Sequence, residues 1–547
     1  MLDRIFYNGV IQTMDADAAI YEAIGLKDGK IAFLGSNQEA LELEALARHD
    51  LSGKLMLPGF TDTHLHILEY AASKITAPFF DCASPEEVVE RGRAFAHEKG
   101  PYRGWLLGRG WNQNHFAGEQ RFITRTELDL VSNELPVVYT RVCGHIAVAN
   151  SVAMERILKM EEAKKFAAYI DAETGVLQES AAGLHHLLMA PLTEEAVIQL
   201  MATGQADLNR EGITSIHSTD FMGMPDGAWR QVVGAFEAME RAKALTVRVY
   251  EQCLFNTPEE FEGFLAAGYT TGVGASVGDG DGFFRIGPLK LFSDGSLGAR
   301  TALLSSNYSD DPGTTGIQSF ERSELKAFMA LAEEHDMQIA VHAIGDGAID
   351  LTAELLRELV EARGSADGHL NPLRHGIIHA QLTTPALLEK MRQAELLAYI
   401  QPVFVPSDMG IVEARIGCER MDKVYAWKTM RDMGIRTAGS SDAPVENFSV
   451  IENIYAAVER CDLSGSPAGG WLPEEKLSVM EAVRLFTSDA AYVSFDEGRL
   501  GTLEVGKLAD LVVLDRNLFE LTGRALLETK VAMTLVNGRV VYEAGEV

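Results

Sequence analysis

Six side chains, in five short stretches spread along 547 residues, are of types that hold metal ions. His64 and His66 lie in LPGFTDTHLH, Lys290 in GPLKLFSDGSLGARTA, His342 in IAVHAIGD, His379 in GIIHAQL and Asp442 in TAGSSDAP. Each sits at or near the end of a short apolar run that reads as a buried strand. Side chains at the carboxyl ends of successive parallel strands converge on one point in a (β/α)8 barrel. Four imidazoles, a carboxylate and a lysine meeting at one point make a metal site, and a metal site there predicts hydrolysis.

Each member has a plainer reading to overcome. Taken alone, His-x-His is a short and unspecific motif. Here the two rings are two apart on an extended segment, so they point to the same side and can reach one ion. Pro58-Gly59 fixes a turn into the strand, and Asp62 is expected to orient an imidazole from behind. A lone histidine after an apolar run is more often a hydrogen-bonded core residue. His342 and His379, however, end consecutive predicted strands on the face where barrels carry their sites. Asp442 could serve as a helix N-cap, because Pro444 follows; a buried carboxylate also needs a partner or a metal. Lys290, flanked by apolar residues, is costly to bury as an ammonium. Carboxylation by CO2 would turn it into an anion able to bridge two metals.

These residues need elements to position them. The middle of the chain alternates strands and helices, with barrel strands expected near LMLPGFTDTH, ITSIHST, LTVRVYEQC, RIGPLKLFSD, QIAVHAIG, HGIIHAQ, LLAYIQPV and RTAGSSD. Helices such as SELKAFMALAEEHD and TPALLEKMRQAE fall between them; the first opens at Ser323 with Lys326 where a capping box would place Glu. The expected fold class is α/β, a parallel barrel of residues 58–499. Roughly 130 residues separate its first two strands, far beyond a usual connection. Residues 78–205 therefore read as an inserted subdomain over the barrel mouth. Both ends have hairpin texture, with Asn537-Gly538 as a tight turn. Neither has enough strands for a core alone, so residues 1–57 and 500–547 are expected to pair into one small β-sandwich. The Gly-rich stretch 272–282 lacks a phosphate-loop pattern and reads as a flexible lid.

The net charge of −31 argues against nucleic acid or anionic membrane as a partner, since both need basic surface. Five scattered cysteines form no C-x-x-C pair, which fits a reducing cytoplasm. The N-terminus has no secretory pattern, and there is no run of 18 or more apolar residues, so no membrane span is expected.

Nine stretches in order, LPGFTDTHLH, GRGWNQNHF, GHIAVANS, GITSIHS, KLFSDGSLGARTA, VHAIGD, IIHAQ, SSDAPV and LEVGKLADLVVLD, resemble the amidohydrolase superfamily. Within it they resemble the family 3 branch that includes N-substituted formamide deformylase-like proteins. The resemblance implies a barrel with a β-sandwich from both termini. It implies His64 and His66 on one metal, His342 and His379 on a second, carboxylated Lys290 as the bridge, and Asp442 as both ligand and proton carrier. One or two divalent ions, zinc by ligand type, are expected, with Mn, Fe or Co as alternatives. Arg109, Trp111 and His145 from the insertion, with His217 at the second strand's end, are candidates to touch a small-molecule substrate. Asp294 and Arg300 are expected to pair and shape the mouth. The implied activity is hydrolysis of a C–N bond in an amide, formamide or cyclic amide. A mononuclear deaminase and a non-catalytic binding protein are the competing readings. A homodimer is an expectation at the level of the family.

Overall fold

A computed structural model describes residues 1–142, 146–178, 181–190, 192–221, 229–274, 282–365 and 368–545. Chain contacts divide it into two compact units, Met1–Ile67 with Met201–Val547, and Leu68–Leu200. The first unit holds an eight-stranded sheet of β1 (Phe60–Leu65), β2 (Ile213–Ser218), β3 (Arg248–Leu254), β4 (Phe284–Phe292), β5 (Ile339–Ala343), β6 (Gly376–His379), β7 (Leu397–Ile400) and β8 (Thr437–Gly439). Neighbours in sequence are neighbours in the sheet, all seven pairs parallel. Short runs rich in Val, Ile and Leu suit strands covered on both faces.

The eighth strand is tied to the first mostly beyond its own end. Thr63 Oγ1 donates to the Gly439 carbonyl at 2.9 Å, Asp442 N–H to His64 O at 2.8 Å, and His66 N–H to Ala443 O at 2.7 Å. Asp62 Oδ1 accepts from the backbone amides of His64 at 3.1 Å and Ser441 at 3.2 Å. The sheet is thus drawn nearly closed at the point where three of the expected metal ligands lie.

The first expected barrel strand, LMLPGFTDTH, is two strands. Leu55–Pro58 pairs antiparallel with Leu511–Leu514, and the barrel begins only at Phe60. Gly59 separates them because a Cβ there would meet Thr214 Oγ1 at 2.3 Å. The two ends of the chain therefore pair. A six-stranded sheet runs Arg539–Glu543, Val531–Val536, Leu511–Leu514, Leu55–Pro58, Val10–Gln12 and Ile20–Tyr21. A four-stranded sheet is built from Lys30–Gly35, Ala23–Lys27, Leu2–Tyr7 and Ala45–Asp50. One apolar cluster takes Phe6, Ile24 and Ile31 from the smaller sheet and Met56, Leu511 and Leu535 from the larger. The Asn537-Gly538 turn has φ of +48° and +68°, the left-handed pair that a two-residue hairpin demands.

The helix expected to open at Ser323 starts at Arg322. Its cap is Glu321, whose backbone N–H donates to Glu324 Oε2 at 2.9 Å while its side chain accepts from the Glu324 amide, so a capping box is present two residues earlier than expected. The unit Leu68–Leu200 has its own six-stranded sheet, in the order Ile170–Asp171, Val176–Gln178, Ile146–Ala149, Val137–Arg141, Leu106–Trp111 and Ala77–Pro78, with an apolar cluster on each side. Among the described residues no helix is long and apolar enough to cross a membrane. Most of the stretch 272–282 lies outside the described residues.

Candidate metal centre

His64 is the last residue but one of β1, and His66 follows directly after the strand. Both rings are buried. Their Nε2 atoms approach the same oxygen, Asp442 Oδ1, at 3.2 and 3.1 Å. Among the described residues, His64, His66 and Asp442 form a cluster whose ligand atoms all lie within 4.8 Å of one another. Asp442 has φ +59° and His379 φ +77°, left-handed values that cost a non-glycine residue of order 1–3 kcal/mol. Such strain gathers where side chains must be aimed.

The chemistry of this cluster calls for a cation. His66 Nδ1 lies 3.1 Å from the Thr219 carbonyl, which can only accept, so Nδ1 carries the ring's proton. A neutral ring then turns a bare Nε2 lone pair on a carboxylate oxygen, and the two repel unless a positive charge sits between them. Without a metal a proton takes that place. Desolvation works against it, but the hydrogen bond and charge of Asp442 prevail and raise His66 above its ordinary value. Burial opposes ionisation of Asp442, yet its contacts with His64 and His66 hold it well below the usual carboxylate range. Separations of 3.1–3.2 Å also suit ligands sharing one ion through bonds of about 2.0–2.2 Å.

Lys290 adds a second demand. It is fully buried on β4, and its Nζ has no hydrogen-bond partner among the described residues. Its Nζ lies 4.8 Å from the ring centroid of Phe292. Burial pulls the ammonium down to about 7, against the opposing charge of Asp442. Much of the lysine is then neutral at neutral pH, which is the form that captures CO2.

His342 and His379, on β5 and β6, have ring centroids 4.4 Å apart. His379 is 5.7 Å from His64. The two rings differ in presentation. His342 Nε2 lies 3.1 Å from Gly295 O, which leaves Nδ1 free. His379 Nδ1 lies 2.8 Å from Gln401 Oε1, and its buried Nε2 has no partner among the described residues. Burial, and then the charge of Lys290, lowers His64 to about 3. Burial and the charge of Asp442 set His379 at about 4. Burial drives His342 well below its usual value. Neutral imidazoles are the form that binds metal. The structure thus gathers all six expected ligands at one end of the barrel.

Other expectations need correction. Asp62 orients no imidazole. It holds two backbone amides, and burial raises it to about 7. Asp294 and Arg300 do not pair. Asp294 accepts from the amides of Leu303, Ile344 and Gly345 at 2.8–3.0 Å and lies 3.5 Å from His342 Nε2, while Arg300 pairs with Asp310 at 2.9 Å. A buried carboxylate is more fully solvated by three fixed amides than by one exposed guanidinium. Trp111 is fully buried in an apolar cluster, with its indole N–H donated to Tyr139 O at 3.0 Å. It is a packed core residue. His217 is fully buried on β2, its ring edge-on to Tyr250 at 5.0 Å, and neither nitrogen has a partner among the described residues. Its register partner on β3 is Tyr250, which is itself paired with Arg285 near the start of β4. Arg109 is exposed on its strand, and His145 lies outside the described residues.

Two residues that sequence reading passed over touch the expected ligands. Gln252 Oε1 lies 2.6 Å from His64 Nδ1, and Gln401 supports His379. Their signal was present: a glutamine inside VYEQCL, and another ending LLAYIQ, are polar groups within buried runs and must be satisfied there.

Residues 49–542 match the model of the amidohydrolase family, and the chain belongs to that family; it is a metal-dependent hydrolytic enzyme. It is 29% identical to the Bacillus subtilis protein YtcJ over 99% of this chain and 100% of that one. It is 25% identical to the N-substituted formamide deformylase of Arthrobacter pascens over 99% of each chain. Among solved structures it is similar to an uncharacterised metal-dependent hydrolase of Pyrococcus horikoshii, with TM-score 0.80 and 27% identity over 95% of this chain and 98% of that one.

Proposed function

We propose that this chain hydrolyses a non-peptide C–N bond of a small molecule, an amide, formamide or cyclic amide. The observation that carries the reading is the pair of Nε2 atoms facing Asp442 Oδ1 beside an unpartnered, buried Lys290 Nζ. His64 and His66 would hold one divalent ion and His342 and His379 a second, with carboxylated Lys290 between them and Asp442 as a further ligand. Zinc suits this imidazole and carboxylate set. When bound, the metal lowers the pKa of water toward about 7 and polarises the bond to be cleaved.

The chain's own residues do the rest. Asp442 takes the proton of the attacking water and delivers it to the leaving nitrogen, base first and then acid. Its backbone N–H, held by His64 O, fixes the carboxylate against the rings. Asp294 anchors the loop after β4 to the start of the helix after β5, which places Gly295 O against His342. Arg109 and His145 remain candidates to touch substrate. The likeness to an N-substituted formamide deformylase supports a formamide among the substrates to be screened. We also read residues 1–57 with 500–547 as a β-sandwich, supported by the shared apolar cluster, and residues 78–205 as an inserted subdomain.

A mononuclear deaminase is the second reading. It is favoured if Lys290 stays an ammonium, since its charge would repel a second cation. Elemental analysis of protein purified without chelator decides. Two metals per chain support the binuclear hydrolase, and one supports the deaminase. No metal after zinc or manganese addition, with no hydrolysis of amides, would overturn both.

A further inference from the structure

We infer that Gln252 and Gln401 are positioning residues that decide which imidazole nitrogen His64 and His379 offer to a metal. The inference rests on the metal reading above, but its core is a matter of hydrogen-bond direction in the chain itself. An amide side chain can be turned either way, and only its surroundings fix which end is oxygen. Both surroundings are decisive here. Gln252 Nε2 lies 3.0 Å from the Thr63 carbonyl, and Gln401 Nε2 lies 3.1 Å from the Tyr399 carbonyl. A carbonyl has no hydrogen to give, so the amide NH2 must face it in each case.

The oxygens then point one way. Gln252 Oε1 faces His64 Nδ1 at 2.6 Å and also receives the Thr219 hydroxyl at 3.0 Å. Gln401 Oε1 faces His379 Nδ1 at 2.8 Å, while its Nε2 is further held by Ser440 Oγ at 2.8 Å. An amide oxygen only accepts, so each Nδ1 carries a proton. A neutral imidazole has one N–H, and Nε2 is therefore left bare on both rings. His64 Nε2 is the atom beside Asp442 Oδ1, and His379 Nε2 is buried without a partner among the described residues.

The same device occurs twice on unrelated strands. Gln252 on β3 serves a ligand on β1, and Gln401 after β7 serves a ligand on β6. The acceptor is neutral in both. A carboxylate in its place would also favour a doubly protonated ring, which competes with metal; an amide fixes the tautomer without that competition.

The test uses the full-length protein and zinc. Gln252→Leu and Gln401→Leu keep the bulk and remove the acceptor; Gln252→Glu and Gln401→Glu keep an acceptor oxygen. In the zinc-free wild type, 15N chemical shifts of labelled histidines should show His64 and His379 as Nδ1–H tautomers. Each Leu variant should shift its own ring toward Nε2–H and weaken zinc retention in chelator competition by about 10- to 100-fold. Each Glu variant should keep its ring Nδ1–H and hold zinc more tightly than the Leu variant at about pH 8, and should lose that advantage as pH falls, because a carboxylate also favours the doubly protonated ring. Packing alone would change melting and leave tautomer and zinc retention untouched. The inference is overturned if either wild-type ring is Nε2–H, or if a folded Leu variant holds zinc as tightly as wild type. Should a Leu variant fail to fold, the wild-type spectrum and the Glu variant still decide. A wild type with Nδ1–H rings that takes up no zinc would sink the metal reading instead.

Discussion

The two ends of the barrel treat charge in opposite ways. At the amino ends of the strands two buried arginines are answered by carboxylates within the chain. Arg248 opens β3 and grips Asp510 through two bonds of 2.7 and 3.1 Å; Asp510 in turn receives the Asn537 amide. Arg285, near the start of β4, is paired with Asp496, which also receives Arg499. At the carboxyl ends, two imidazole nitrogens crowd one carboxylate oxygen, and Lys290 Nζ and His379 Nε2 have no partner among the described residues. A fold that can satisfy buried charge at one end, yet leaves it unanswered at the other, leaves it for a ligand. In barrels the first end serves stability and the second chemistry.

Substitution at each end should separate the two roles. Asp442→Asn keeps the shape and removes the proton carrier, so kcat/KM is expected to fall by about 10²- to 10⁴-fold on any accepted substrate. The chelator-treated variant should melt somewhat lower, because the buried His66–Asp442 pair is lost, although Asn tolerates the left-handed backbone at this position. A rate within tenfold of wild type would break the contrast at its functional end. Arg248→Ala should do the reverse. It strands Asp510 as a buried, unpaired carboxylate, a loss of about 3–5 kcal/mol, while kcat of the remaining folded enzyme stays near wild type. A variant that melts as wild type, or that folds but loses turnover, would show that the amino end is not merely structural.

The contrast also explains what could be read before the fold was known. The six expected ligand positions stood out because each is a polar residue at or near the end of an apolar run, a pattern local to a few residues; the structure groups His64, His66 and Asp442 among them. All eight barrel strands were legible for the same reason, apart from the break at Gly59. That break depends on the closeness of Thr214, some 155 residues away in sequence. Asp294 and Arg300 were misread because adjacency in one loop suggested a pair. The actual partners, the amides near residue 345 and Asp310, come together only through the fold. Trp111 was misread because nothing in GRGWNQNHF shows that the indole N–H is already used. Gln252 and Gln401 were missed because a glutamine is chemically quiet until its neighbours are placed.

His217 tests the contrast directly, since it has no partner among the described residues and is not one of the expected ligands. Burial lowers it to about 3, so the folded protein keeps it neutral where an unfolded chain would bind a proton. Its contribution to stability is complete above the unfolded value of about 6.5. It is lost as pH falls from there toward 3, at about 1.4 kcal/mol per pH unit. His217→Leu should remove that share, so the variant should overtake wild type in thermal midpoint as pH is lowered from 7 to 4.5. Its metal content at pH 7.5 should be unchanged. Parallel pH profiles would mean that His217 is not held neutral; loss of metal would move it into the functional end.

The smallest effect is expected at Trp111, where the same criterion gives the opposite answer from sequence. Its indole N–H is satisfied by Tyr139 O, and its ring meets Phe122 at 5.7 Å inside an apolar cluster. A polar group already paired with backbone has nothing left to offer a substrate. Trp111→Phe should therefore act on packing alone. It leaves the Tyr139 carbonyl short of a donor and opens a small void, a cost of about 1–3 kcal/mol. KM for an accepted substrate should stay within twofold of wild type while the melting temperature falls. A tenfold rise in KM at unchanged stability would return Trp111 to the substrate site, and would show that satisfied hydrogen bonding does not by itself mark a residue as structural.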